Sequence, residues 1–157
     1  MNEILVALKT DQTLANHCLQ GEIEPVKLET AIIQILDFET FNDRNENTYK
    51  TLINAGGLAT ITNQKLRSSI IEYYQDYGNI DRFESVYTEF LLNHFNTYFS
   101  PRYDYLNKKL VDLTLLKNVQ TKNNLLITKF QLGEGIESYE DAVAKATALD
   151  KLLEATL

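Results

Sequence analysis

The chain has 157 residues, 44% hydrophobic and 24% charged, which are the proportions of an ordinary folded domain and exclude wholesale disorder and collagen-like repetition. Fifteen basic against 22 acidic side chains leave a formal charge of −7, which argues against binding nucleic acid through its phosphates. A single cysteine excludes an intramolecular disulfide framework and a cysteine-based zinc cluster, and no stretch approaches the ~18–20 apolar residues of a membrane-spanning helix.

The opening Met1-Asn2-Glu3-Ile4-Leu5 has no basic run followed by a long apolar core, so no secretion signal is expected there. Ile4, Leu5, Leu8, Leu14 and Cys18 recur at helical spacing and predict a first helix to about Gln20, with Gly21 suited to its C-terminal cap. Pro25 opens a new helix or kinks a longer one, and Leu28, Ile32, Ile35 and Leu36 form the next apolar stripe. Glu39 to Asn47, rich in Asn, Asp and Glu, reads as a solvated connection.

Thr48 to Ala55 predicts a short helix closed by Gly56-Gly57, and Leu58 to Thr62 an extended link. Asn63 is placed to cap the next helix through its side-chain oxygen; that helix carries Leu66, Ile70, Tyr73, Tyr74 and Tyr77, and Gly78-Asn79 either interrupts or weakens it. From Asp81 the pattern is clearest, with Phe83, Tyr87, Phe90, Leu91, His94, Phe95 and Tyr98 on one broad face until Pro101 ends the helix. Tyr103 to Lys109 reads as a short helix or turn. A long final segment starts near Leu113, where Leu132, Ile136, Tyr139, Val143, Ala146, Leu149 and Leu153 keep helical phase across Gly133 and Gly135, which favours one continuous helix.

Four to five helices with short links can bury their stripes only against one another, so the expected fold is an all-α antiparallel bundle with a long C-terminal helix, one domain over residues 1–157. No fixed-period repeat is visible. The sustained seam of the last helix also suits pairing with its copy in a homodimer.

Chemistry is sparse. Leu14 precedes His17 by three residues and Leu91 precedes His94, so neither histidine belongs to the Glu-x-x-His pairs of di-metal bundles, and His-x-x-x-His is absent. His17 and Cys18 are sequence neighbours and point about 100° apart on a helix, too far for a nucleophilic pair. His94 reads as a partly buried packing residue on an aromatic face. Gly56-Gly57 lacks the Lys-Ser/Thr of a phosphate loop. Asp11, Glu22, Glu24, Glu39, Glu134, Glu137, Glu140 and Asp141 read as solvated helix surface, so no general acid and base stand out and no enzyme, metal or cofactor is expected. Two aromatic groups remain. Tyr98, Phe99, Tyr103 and Tyr105 around Pro101-Arg102 would cap one end of the bundle or form a partner-binding patch. Tyr73, Tyr77, Tyr87, Phe90 and His94 would line a cavity if the bundle carries a small molecule or lipid.

The run Tyr49-x-x-Leu52-x-x-x-Gly56-Gly57-Leu58-x-x-Ile61-x-Asn63-x-x-Leu66-x-x-x-Ile70-x-x-Tyr73-Tyr74 resembles the signature of a domain-of-unknown-function family of single-pass membrane proteins common in Bacteroidota. Ala55 stands where that family more often has Ser, and Gly57 where Asn or a similar residue is usual. Glu3-Ile4-Leu5-x-x-Leu8-Lys9-x-Asp11 is similar to the stretch following the family's membrane helix, while Asn124 to Leu153 matches only in its long-helix character. The family's anchor, an apolar segment after basic residues, is not among these residues. The resemblance implies a helical domain on the periplasmic side of the inner membrane; without such an anchor the expected location is cytoplasmic. It implies no reaction. The expected role is sensing or protein–protein interaction with an unknown partner, the alternative being a carrier of a small molecule or lipid.

Overall fold

The computed structural model describes residues 1–20, 23–36 and 47–155. Gly21 and most of the link from Glu39 lie outside the described residues. Helix α1 (Asn2–Leu19) turns its Leu8, Asp11, Ala15 and Cys18 face inward. Helix α2 (Pro25–Leu36) begins afresh at the proline, whose missing N–H costs nothing in a first helical turn, and buries Leu28, Ala31, Ile32 and Ile35. Helix α3 (Asn47–Asn54) ends as its glycines demand: Gly56 takes φ +69°, a left-handed conformation that a side chain would strain.

The expected extended link is corrected here. Gly57–Thr60 coils into a 3-10 turn, and the chain is extended after it, at Ile61 and again at Asn63. Asn63 then caps α4 (Gln64–Phe90), its Oδ1 accepting from the Leu66 N–H at 3.1 Å. Helix α4 passes through Gly78-Asn79 without a break. It runs on through a π-helical turn (Leu91–Asn96), one further helical turn α5 (Thr97–Phe99) and a 3-10 turn at Ser100–Arg102.

Tyr103 to Lys109 contains no helix. Strands β1 (Tyr103–Asp104) and β2 (Lys109–Leu110) pair antiparallel, Tyr103 opposite Leu110, as a small hairpin. Its loop is fixed by Asp104, whose carboxylate accepts from Leu106 N–H, Asn107 N–H and the Asn107 amide, and by Lys108 at φ +54°. The Glu29 carboxylate of α2 accepts from Leu110 N–H at 2.9 Å and pins the hairpin to the bundle. After a 3-10 turn (Leu113–Lys117) capped by Asp112, Asn118 caps the continuous α6 (Val119–Glu154). The start expected near Leu113 is therefore this 3-10 turn, and the helix begins six residues later.

Helix α6 is the axis. Lys9 pairs with Glu140 and Asn16 accepts from Lys129, so α1 runs antiparallel to it. Tyr98 meets Thr121, Tyr139 donates to Glu84, and Lys145 pairs with Asp76, so α4 is antiparallel to it as well. The structure is an all-α antiparallel bundle with a long C-terminal helix and one small hairpin. No described helix is long and apolar enough to cross a membrane. The α6 seam also differs from expectation. Leu132, Gly135, Tyr139 and Ala142 are buried, while Ile136, Val143, Ala146 and Leu149 flank it half-buried and Leu153 is exposed. On that centre line only Gly135 is held to a bare backbone, because the Phe83 ring of α4 occupies the space a Cβ would need.

Candidate functional site

Helices α4 and α6 do not close over their whole length. Between them lies a groove of about 460 Å³. Phe83 and Tyr87, stacked with ring centroids 5.6 Å apart, form its floor together with Val86. Asp76, Asn79 and Arg82 of α4 make one wall; Gln131, Glu134, Glu137, Ser138 and Asp141 of α6 make the other. Four carboxylates thus face one arginine, and Lys145 satisfies one of them by its 2.5 Å contact with Asp76. That bond leads the influences that raise the Lys145 ammonium above its ordinary range. The Gln131 amide oxygen is buried without a hydrogen-bond partner among the described residues. A broader depression of about 560 Å³ on the outer face of α4, around Ser85, Thr88 and Leu92, is too open to enclose a ligand.

Asp11 of α1 is buried, 2% exposed, which corrects its reading as a solvated carboxylate. Burial pushes its pKa up to about 7. Burial raises the Tyr87 hydroxyl too, and the Asp11 carboxylate adds to that rise, which identifies the two as electrostatic neighbours. The sequence does carry a signal for Asp11: it sits three residues after Leu8 and seven before Cys18, on the stripe that faces the core.

The aromatic residues singled out in the sequence divide into separate groups. Tyr73 and Tyr77 share a 2.7 Å hydroxyl–hydroxyl hydrogen bond and cluster with Tyr74, which stacks on Tyr49 of α3. Tyr87 alone of the expected cavity residues lines the groove. Phe90 is buried, and His94 stacks on it from outside at 5.9 Å. His94 is exposed, a correction with a clear cause: the π-helical turn inserts an extra residue, so the inward step after Phe90 falls on Phe95. Tyr98 and Tyr103 are buried at the hairpin end, where the Arg102 guanidinium lies 4.7 Å from the centre of the Tyr98 ring; Tyr105 is 47% exposed, edge-on to Tyr103.

Among the described residues, no three His, Cys, Asp or Glu side chains converge as a metal ion would need. Cys18 is buried, and burial pushes its thiol to about 11 against a lowering by Lys27, so it is a thiol at neutral pH. The Ser138 hydroxyl donates back to the Glu134 carbonyl of its own helix. The fold and this geometry define a helical bundle with an acidic, aromatic-floored groove on the flank of its longest helix. No protein-family model, curated protein or solved structure matches the chain.

Proposed function

We infer that the chain is a sensing or interaction domain that receives a cationic group, an amine or guanidinium of a small ligand or a peptide side chain, in the α4–α6 groove. The observation that carries this reading is the groove itself: Glu134, Glu137 and Asp141 line it together with Phe83 and Tyr87. Carboxylates at a concave site concentrate positive ligands, and an aromatic floor adds a cation–π attraction of about 0.5–2 kcal/mol. The volume falls in the range of about 300–1,000 Å³ typical of small-ligand sites. A carrier of an apolar molecule is less well supported, because the walls are polar.

The reading also takes the domain as the extracytoplasmic part of a membrane-anchored protein. Only the resemblance carried by Tyr49 to Tyr74 supports that placement, and a reporter fusion to the native gene product checks it.

Calorimetric titration of the full chain with spermidine and with an arginine-containing peptide tests the binding reading. At least one should bind, and a Glu134→Gln/Glu137→Gln variant should lose about tenfold or more in affinity. Glu89→Gln, outside the groove on α4, should leave it unchanged. Equal binding by all three proteins, or none by the unsubstituted chain, would sink the proposal.

A further inference from the structure

The end of the bundle that carries the hairpin differs from the rest of the molecule in charge and in exposed surface. Between Arg102 and Lys122 stand five basic and two acidic side chains, a net charge of +3 in a chain that is −7 overall. Lys108, Lys109, Lys117 and Lys122 are all exposed, and none of the four pairs with a carboxylate among the described residues. Both acidic residues, in contrast, are engaged locally, Asp104 by the hairpin loop and Asp112 by the 3-10 turn it caps. The same end leaves aliphatic side chains in solvent. Leu106 at the hairpin tip is 90% exposed, Val119 at the start of α6 is 69% exposed, and Val111 and Leu113 between them are more than half exposed.

We propose that this end docks on a lipid bilayer bearing anionic headgroups, with Leu106 entering the acyl boundary and the four lysines lying among the phosphates. Three observations favour a bilayer over a protein partner. Leu106 protrudes from the tip of a hairpin held by Asp104 and Glu29, and neither groove described above is lined by it or by Val111, Leu113 or Val119. The cations are flexible lysines, which protein interfaces disfavour relative to arginine and aromatic residues, whereas a headgroup layer accepts them. The exposed side chains also span the hairpin, the 3-10 turn and the first turn of α6, a spread that a surface covers and a groove of about 460 Å³ on a second copy does not.

Charge asymmetry adds orientation. A negative surface attracts the hairpin end and repels the carboxylate-lined groove. At about 1.5 Å per residue along α6, the groove would stand roughly 14–28 Å beyond Lys122, clear of the headgroups.

Flotation of the full chain with vesicles of phosphatidylcholine alone, and of phosphatidylcholine mixed with phosphatidylglycerol, decides the matter. The chain should float with the mixed vesicles and be released by salt. Lys108→Gln and Lys109→Gln should each weaken partitioning about fivefold. Leu106→Asp should weaken it at least tenfold. Circular dichroism matching the parent chain confirms that each variant is folded. Failure to float with mixed vesicles at low salt overturns the proposal, as does flotation that is indifferent to lipid charge or to these substitutions. Self-association lost in Leu106→Asp without any vesicle binding would assign the tip to a second copy instead. None of these readouts involves a cationic ligand, so they stand or fall apart from the groove.

Discussion

The backbone of Gly135 on α6 lies against the Phe83 ring of α4, so close that a Cβ at position 135 would collide with three of the ring carbons. This contact sets the spacing of the two helices beneath the groove, because Phe83 is also part of the groove floor. A larger residue at 135 would have to displace that ring.

Replacing glycine by alanine inside a helix ordinarily gains about 1 kcal/mol. Gly78 is in helical conformation with nothing within 4 Å of an added Cβ, so Gly78→Ala should raise Tm by about 2–4 °C. Gly135→Ala should lower it, since overpacking costs of about 1–3 kcal/mol outweigh the propensity gain. Adding Phe83→Leu to Gly135→Ala should recover part of the loss. Thermal melts of the four proteins check this, and a stabilised Gly135→Ala would show that the helices move apart freely.

Asp11 gives stability a pH dependence of unusual sign. An unfolded aspartate titrates near about 3.9, whereas buried Asp11 titrates at about 7. Between those values the folded chain keeps a proton that the unfolded chain has released, so this contribution falls as pH rises from about 4 to 7 and is gone above it. Asp11→Asn removes the penalty. Relative to the parent chain it should be of similar stability near pH 4 and more stable at pH 8, by up to about 4 kcal/mol. Urea midpoints measured from pH 4 to 8 test it; a pH-independent difference would mean that Asp11 ionises without cost.

The buried pair Tyr98–Thr121 ties the end of the α4 rod to the first turn of α6 through a 3.0 Å hydroxyl contact. Thr121→Val leaves the Tyr98 hydroxyl buried without its partner, at a cost of about 1–3 kcal/mol. Tyr98→Phe keeps the ring beneath Arg102 and should cost less. The double variant should be less destabilised than the sum of the two, with a coupling of about 1 kcal/mol in a denaturant cycle. Strict additivity would remove the hydrogen bond from the account.

Local signals survived folding where a single residue type decides the backbone. Pro25 starts α2, Gly56 closes α3 and Asn63 caps α4, each for a steric or hydrogen-bonding reason confined to a few neighbours. The continuous α6 was legible because its apolar phase holds across two glycines. Signals failed where the pattern was short or the period changed. Tyr103 to Leu110 alternates over too few residues to announce a hairpin, and the π-helical turn moved His94 to the surface without any mark in composition.

The groove shows the same division. Its carboxylates were visible one by one as polar-face residues, but nothing in the order of residues brings Asp76 into one groove with Glu137 and Asp141, or lets the Asp11 charge act on Tyr87. By itself, the sequence determined the helices and the faces they hide, since apolar periodicity and capping act within a few turns of one element. Only the tertiary structure decided which faces meet, how closely Gly135 lets them approach and which charges share a groove, because those depend on contacts between residues some 50 or more positions apart.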